Sequence, residues 1–78
     1  MNITDLKKRI TGVIEGFDTD DEHMEVRFRE IGFAEGDEVE VLHTGLFGHS
    51  PLNIRLHGTM IALRRKEARM IRVRPVSG

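Results

Sequence analysis

Between Val39 and Val73 the apolar residues of this chain recur at every second position, in short runs broken by glycine and charged residues. That period admits little besides paired strands. Val39 and Val41 alternate with Glu38 and Glu40; Leu52, Ile54 and Leu56 alternate with Asn53, Arg55 and His57; Ile71 and Val73 alternate with Arg72 and Arg74. Each run reads as a strand with one dry face and one wet face. Gly36-Asp37 reads as the turn into the 38–43 strand, and Gly58-Thr59 as a tight reversal into Met60–Leu63. Arg64 to Ala68 is a charged corner with room for one helical turn, Met70 to Arg74 is the last strand, and Pro75 ends it.

Upstream the pattern differs. Residues 9–17 mix Ile10, Val13, Ile14 and Phe17 with Gly12 and Gly16. Each glycine weakens a helix interior, so a bent strand is favoured there. Thr19 followed by Glu22 fits a capping box, and the acidic run Asp18, Asp20, Asp21, Glu22 suits the positive end of a helix beginning near residue 20. Met24, Phe28 and Ile31 share a stripe of that helix, and Gly32 ends it. Five short strands with one helix after the first indicate a mainly β fold, a small antiparallel barrel, because closure removes the edges that short strands expose.

Size sets the margin. With 78 residues the chain reads as one domain over 1–78, near the lower limit at which a single core holds a fold. It has no cysteine, which excludes a disulfide framework and thiolate metal sites. The formal charge of −1 gives no global field toward nucleic acid or an anionic bilayer. MNITDLKKRIT lacks the apolar core of a signal peptide, and no run of about 18 apolar residues is present. A cytoplasmic location is expected.

The residues that carry chemistry elsewhere are sparse here. Of the four histidines, His43 and His57 stand at opposite ends of the 38–43 and 52–57 strands, roughly 17 Å apart at 3.4 Å per residue. They cannot share an ion. His43 and His49 flank one loop with no carboxylate between them, an incomplete site of at most weak Fe or Zn affinity; His23 stands apart in the acidic run. A calcium loop begun at Asp18 would need glycine where His23 stands and glutamate where Arg29 stands. Arg64, Arg65, Lys66, Arg69, Arg72 and Arg74 gather positive charge, but Glu67 interrupts them and the chain has no Trp or Tyr for base stacking. No nucleophile elbow and no phosphate-cradling glycine loop occur, so neither catalytic residues nor a cofactor are expected. In the loop 44–51, TGLFGHSP, Leu46 and Phe47 sit between Gly45 and Gly48. They either form an exposed contact tip or fold back over the barrel mouth.

VRFREIGFAEGDEVEVL, followed by GLFGHSPLNIRLHGTMIALRRKEARMIRV, resembles the FeoA domain. The likeness rests on the Ile31-Gly32 step, the Glu35-Gly36 turn, the Val39 to Val41 strand, the Gly48 to Pro51 loop, and the Leu63-Arg64 through Glu67-Ala68 corner, in that order. It covers roughly residues 22–74; the Leu-x-x-Leu-x-x-Gly lead of many members is not evident, and Glu35 replaces a usual proline. The resemblance implies an SH3-like barrel and a cytosolic accessory or regulatory role in ferrous iron uptake, through binding the cytosolic part of the membrane transporter FeoB. Leu46, Phe47, Gly48 and Pro51 are the expected contact residues. A nucleic-acid-binding barrel and a metal-responsive SH3-like domain are the alternatives.

Overall fold

The computed structural model describes residues 1–43 and 51–76. A 3-10 turn over Ile3–Asp5 precedes β1 (Thr11–Phe17), α1 (Glu22–Ile31), β2 (Glu38–His43), β3 (Leu52–Leu56), β4 (Thr59–Leu63), α2 (Arg65–Ala68) and β5 (Ile71–Pro75). The five strands form one antiparallel sheet in the order β4-β3-β2-β1-β5. Every strand expected from the alternation is present, and so are the helix after β1 and the helical turn at the charged corner.

The expected closure is not found: among the described residues the sheet ends at β4 and β5. The outer side of β5, where a closing strand would pair, is taken by the N-terminus. Asn2 bridges Arg72, and the Val73 N–H donates to the Met1 carbonyl at 2.9 Å. The chain's own start does part of the work that closure would do in a barrel.

The register carries the sequence pattern into the core. Val39 faces Leu56, Val41 faces Ile54, and Ile54 faces Ile61, so apolar positions of neighbouring strands share one face. Ile14, Val39, Val41, Leu52, Ile54, Leu56, Leu63, Ile71 and Val73 are buried there with Phe28, Phe33 and Ala68. On β1 the buried positions are Gly12, Ile14 and Gly16, and the pairing to β5 shifts register between Ile14 and Gly16, which gives the expected bend. After that shift Gly16 pairs with exposed Arg72 and Phe17 with buried Ile71, so the inward positions of β1 are Gly12, Ile14 and Phe17, and of these Gly12 carries no side chain. Ile3 and Leu6 fill the space: both are buried, and a Cβ built at Gly12 would stand 2.8 Å from Leu6 Cδ1 and 3.3 Å from Val73 Cβ.

The helix begins slightly later than the Thr19–Glu22 signature suggests. Asp21 is the N-cap, its Oδ1 accepting from the His23 N–H at 2.9 Å, while Thr19 Oγ1 accepts from the Asp21 N–H at 3.1 Å. The expected apolar stripe holds for Met24 and Phe28 but not for Ile31, which is 39% exposed. Its place is taken by Phe33. The helix ends at Gly32 with φ +123°, and the Phe33 N–H donates to the Phe28 carbonyl at 3.0 Å, the six-residue closure of a Schellman motif. That reversal folds Phe33 back, edge-on to Phe28 at 6.2 Å, while Phe17 stacks on Phe28 at 5.6 Å.

Leu6→Ala lowers stability by about 2–5 kcal/mol through the cavity it leaves, and Gly12→Ala by about 1–3 kcal/mol through overpacking. The two substitutions act on one contact, so in urea melts the double variant loses less than the sum. Strict additivity would show that the two positions do not press on each other.

Candidate functional site

Two short turns, far apart in the chain, meet at one end of the β2–β3 pair. The first, Ala34 to Asp37, is closed by the Asp37 N–H on the Ala34 carbonyl at 3.1 Å, with Gly36 at φ +92° in the third place. The Asp37 carboxylate reaches back and accepts from the Ala34 N–H at 3.1 Å. The second is the β3–β4 connection. Its two central residues are His57 (φ +52°) and Gly58 (φ +77°), one position earlier than the Gly58-Thr59 expectation, because Leu56 pairs with Thr59. Positive φ at both places is the hairpin turn that matches strand twist, and histidine is among the few side-chain-bearing residues that enter that region readily.

Asp37 Oδ2 lies 3.2 Å from His57 Nε2 and so joins the two turns. Alongside, cross-strand partners Glu40 and Arg55 form an ion pair at 3.3 Å on the outer face. Thr11, Asp37, Glu38, Glu40, Arg55 and His57 line a shallow groove of about 500 Å³. It is polar, open and mixed in sign. A groove this open and polar is unlike the concave, mostly apolar sites that enclose small molecules.

Leu46, Phe47 and Gly48 lie outside the described residues, as does His49; Pro51 is exposed immediately before β3. His43 pairs with Asn53 at the end of the hairpin opposite His57, so the 44–50 segment departs from the far end of the same two strands. Among the described residues no three His, Asp or Glu side chains are grouped as metal ligands. The acidic run is occupied locally: Asp21 caps α1 and Asp18 pairs with Arg72. Arg74 lies 3.9 Å from Glu15, so the basic stretch meets carboxylates on and after β1 and is not a uniform positive face.

Glu67 explains the corner. Its carboxylate is buried, accepts from the Arg64 N–H at 3.0 Å and lies 3.9 Å from the Arg27 guanidinium, while Ala68 fills the core beneath. Glu35, where a proline was expected, is held by Arg29 through two bonds of 2.9 and 3.1 Å. Arg29 also stands 4.9 Å above the Phe17 ring and 3.7 Å from Glu25. The Arg29 hydrogen bonds hold the Glu35 carboxyl below its usual range, and the same contact holds the guanidinium above its own.

These features define a small SH3-like module. The FeoA domain model matches residues 1–75, and the chain belongs to the FeoA family, which is associated with ferrous iron transport. The match begins at residue 1, upstream of the resemblance read from the sequence, and takes in the buried Ile3 and Leu6. Among solved structures, FeoA of Stenotrophomonas maltophilia complexed with zinc, put forward as a ferrous iron transport activating factor, is 30% identical with a TM-score of 0.81; the match covers 95% of this chain and 89% of that one. FeoA of Chlorobium tepidum is 23% identical with a TM-score of 0.88, covering 100% and 72%. A manganese-dependent transcriptional repressor, 18% identical with a TM-score of 0.85 over 97% of this chain and 41% of that one, shares the fold. No match was found among curated proteins.

A carboxyl whose pKa is lower in the folded state stabilises the fold above its ordinary range, and that contribution is lost as pH falls through the folded value. Glu35→Gln therefore lowers Tm near neutral pH. The gap to the parent closes between about pH 5 and pH 3. A gap that stays constant across that window would mean that the Arg29–Glu35 charge pair does not contribute.

Proposed function

We propose that this chain is a cytosolic accessory or regulatory protein of ferrous iron uptake, acting as one FeoA-like module by binding the cytosolic part of the membrane transporter FeoB. It works by contact, without turnover of its own. The observation that carries the reading is the FeoA match over nearly the whole chain. Among the described residues no helix is long and apolar enough to cross a membrane, so nothing described competes with a docking role.

The contact assigned here is the 44–51 loop, with Leu46 and Phe47 as apolar anchors, Gly48 letting the backbone approach closely, and Pro51 limiting the loop's freedom. The β2–β3 frame supports it, since the loop's two ends are tied by the His43–Asn53 pairing. A binding surface on fixed ends loses less entropy on docking than a free segment does. Phosphate binding through the C-terminal arginines is disfavoured by the Asp18 and Glu15 partners of Arg72 and Arg74.

Immobilised FeoB cytosolic domain should retain the parent protein with little change between about 50 and 200 mM salt, where phosphate-driven binding would fall steeply. Phe47→Ala should weaken retention about tenfold, the size of one aromatic anchor. Equal retention of the variant moves the contact off this loop, and no retention of the parent overturns the reading.

A further inference from the structure

The two edges of the sheet are finished differently. β5 carries Arg72 and Arg74, ends at Pro75 and receives the N-terminal residues on its outer side. Those are the devices by which an edge avoids another strand. β4 has none of them. Thr59-Met60-Ile61-Ala62-Leu63 contains neither charge nor proline, pairs with β3 without a register break, and among the described residues is the last strand of the sheet. Thr59, Met60 and Ala62 are exposed, Met60 to 59%, although methionine is a large apolar residue.

Hydrogen-bond parity identifies the free groups. A two-residue turn makes Leu56 and Thr59 a hydrogen-bonded pair, so Ile61 and Leu63 also turn their N–H and C=O groups toward β3. Those of Met60 and Ala62 point away from the sheet. Among the described residues no turn or loop backbone group bonds to either.

We propose that β4 pairs antiparallel with β4 of a second copy of this chain, about a two-fold axis at Ile61. In that register Met60 lies opposite Ala62 of the second copy, and by symmetry Ala62 opposite the other Met60. All four outward N–H groups and all four outward carbonyls are then used. Size fits as well as parity, because a long side chain meets a short one twice on the outer face. On the core side the half-buried Ile61 meets its own copy, and burial begun within one chain is completed between two. Thr59 faces Leu63, and Arg64 falls opposite Gly58, where no side chain obstructs it. No like charges meet along the strand. One pair of five-residue strands is small against the roughly 1,200 Å² at which stable interfaces begin, so the dimer is weak and is populated only in concentrated protein.

Sedimentation of the parent chain should give a mean mass near 8.9 kDa at low concentration, rising toward twice that as concentration approaches about 1 mM. The double variant Met60→Lys, Ala62→Lys places like charges opposite each other on a solvent-facing edge, and should remain at one chain with an unchanged amide spectrum. The sequence has no cysteine, so Ile61→Cys can form a disulfide only between copies. Paired at a non-hydrogen-bonded site with Cα atoms about 4.5 Å apart, it should cross-link under mild oxidation. Thr59→Cys, whose copies lie about 14 Å apart in this register, should not. A parent chain that stays monomeric at the highest concentration, a double variant that associates equally well, or cross-linking that is no faster at 61 than at 59 would each overturn the pairing. A monomer in all conditions would leave the edge to a strand of another protein.

Discussion

The contact of Leu6 with the bare backbone of Gly12 is what lets the sheet hold a core at this size. β1 pairs on both sides, to β2 and to β5, yet at Gly12 it offers the interior no side chain. An inner face so stripped would leave a void, and voids in a core this small consume a large share of its stability. The N-terminal turn supplies the missing volume, and its bonds to β5 fix it there. Bend, plug and edge protection thus all come from the stretch between Met1 and Gly16.

The strands after residue 38 are legible because their alternation is regular and their turns carry glycine, whereas the first third of the chain hides its pattern. The inward positions of β1 include Gly12, which no hydrophobic scan counts, while the apolar Ile10 faces solvent. Ile3 and Leu6 are isolated among Thr4, Asp5, Lys7 and Lys8 and give no period to detect. Their burial is a tertiary fact, dictated by the space above Gly12. Ile31 follows helical spacing yet stays exposed, because the Gly32 reversal brings Phe33 inward two residues later. The groove had still less signal: Asp37 and His57 stand twenty residues apart, and only sheet register brings their turns together. The expected barrel fails for a similar reason, since which segment covers the β5 edge depends on where the N-terminus lies.

The motif positions that carry the family resemblance have physical duties in this structure. Gly32 takes a backbone angle that side chains disfavour, and so aims Phe33 at Phe28. Gly36 does the same for the turn that delivers Asp37 to His57. Glu67 accepts from the N–H of Arg64, the residue that caps α2, and Ala68 is small enough to let that turn settle on the core. Glu35 departs from the pattern and is compensated by Arg29, which grips it in a fork and covers Phe17 with the same guanidinium. A rigid turn is obtained there by an ion pair in place of a ring.

The pairing of His43 with Asn53 has one more consequence. It closes the β2–β3 ladder at the hairpin end remote from the Asp37–His57 junction, so a change in the length of the 44–50 connection enters the chain where the ladder is already tied. Doubling its length would add only about 0.6 kcal/mol of closure entropy. A ladder tied off in this way tolerates a longer or shorter connection at that end, much as a tool handle accepts different heads.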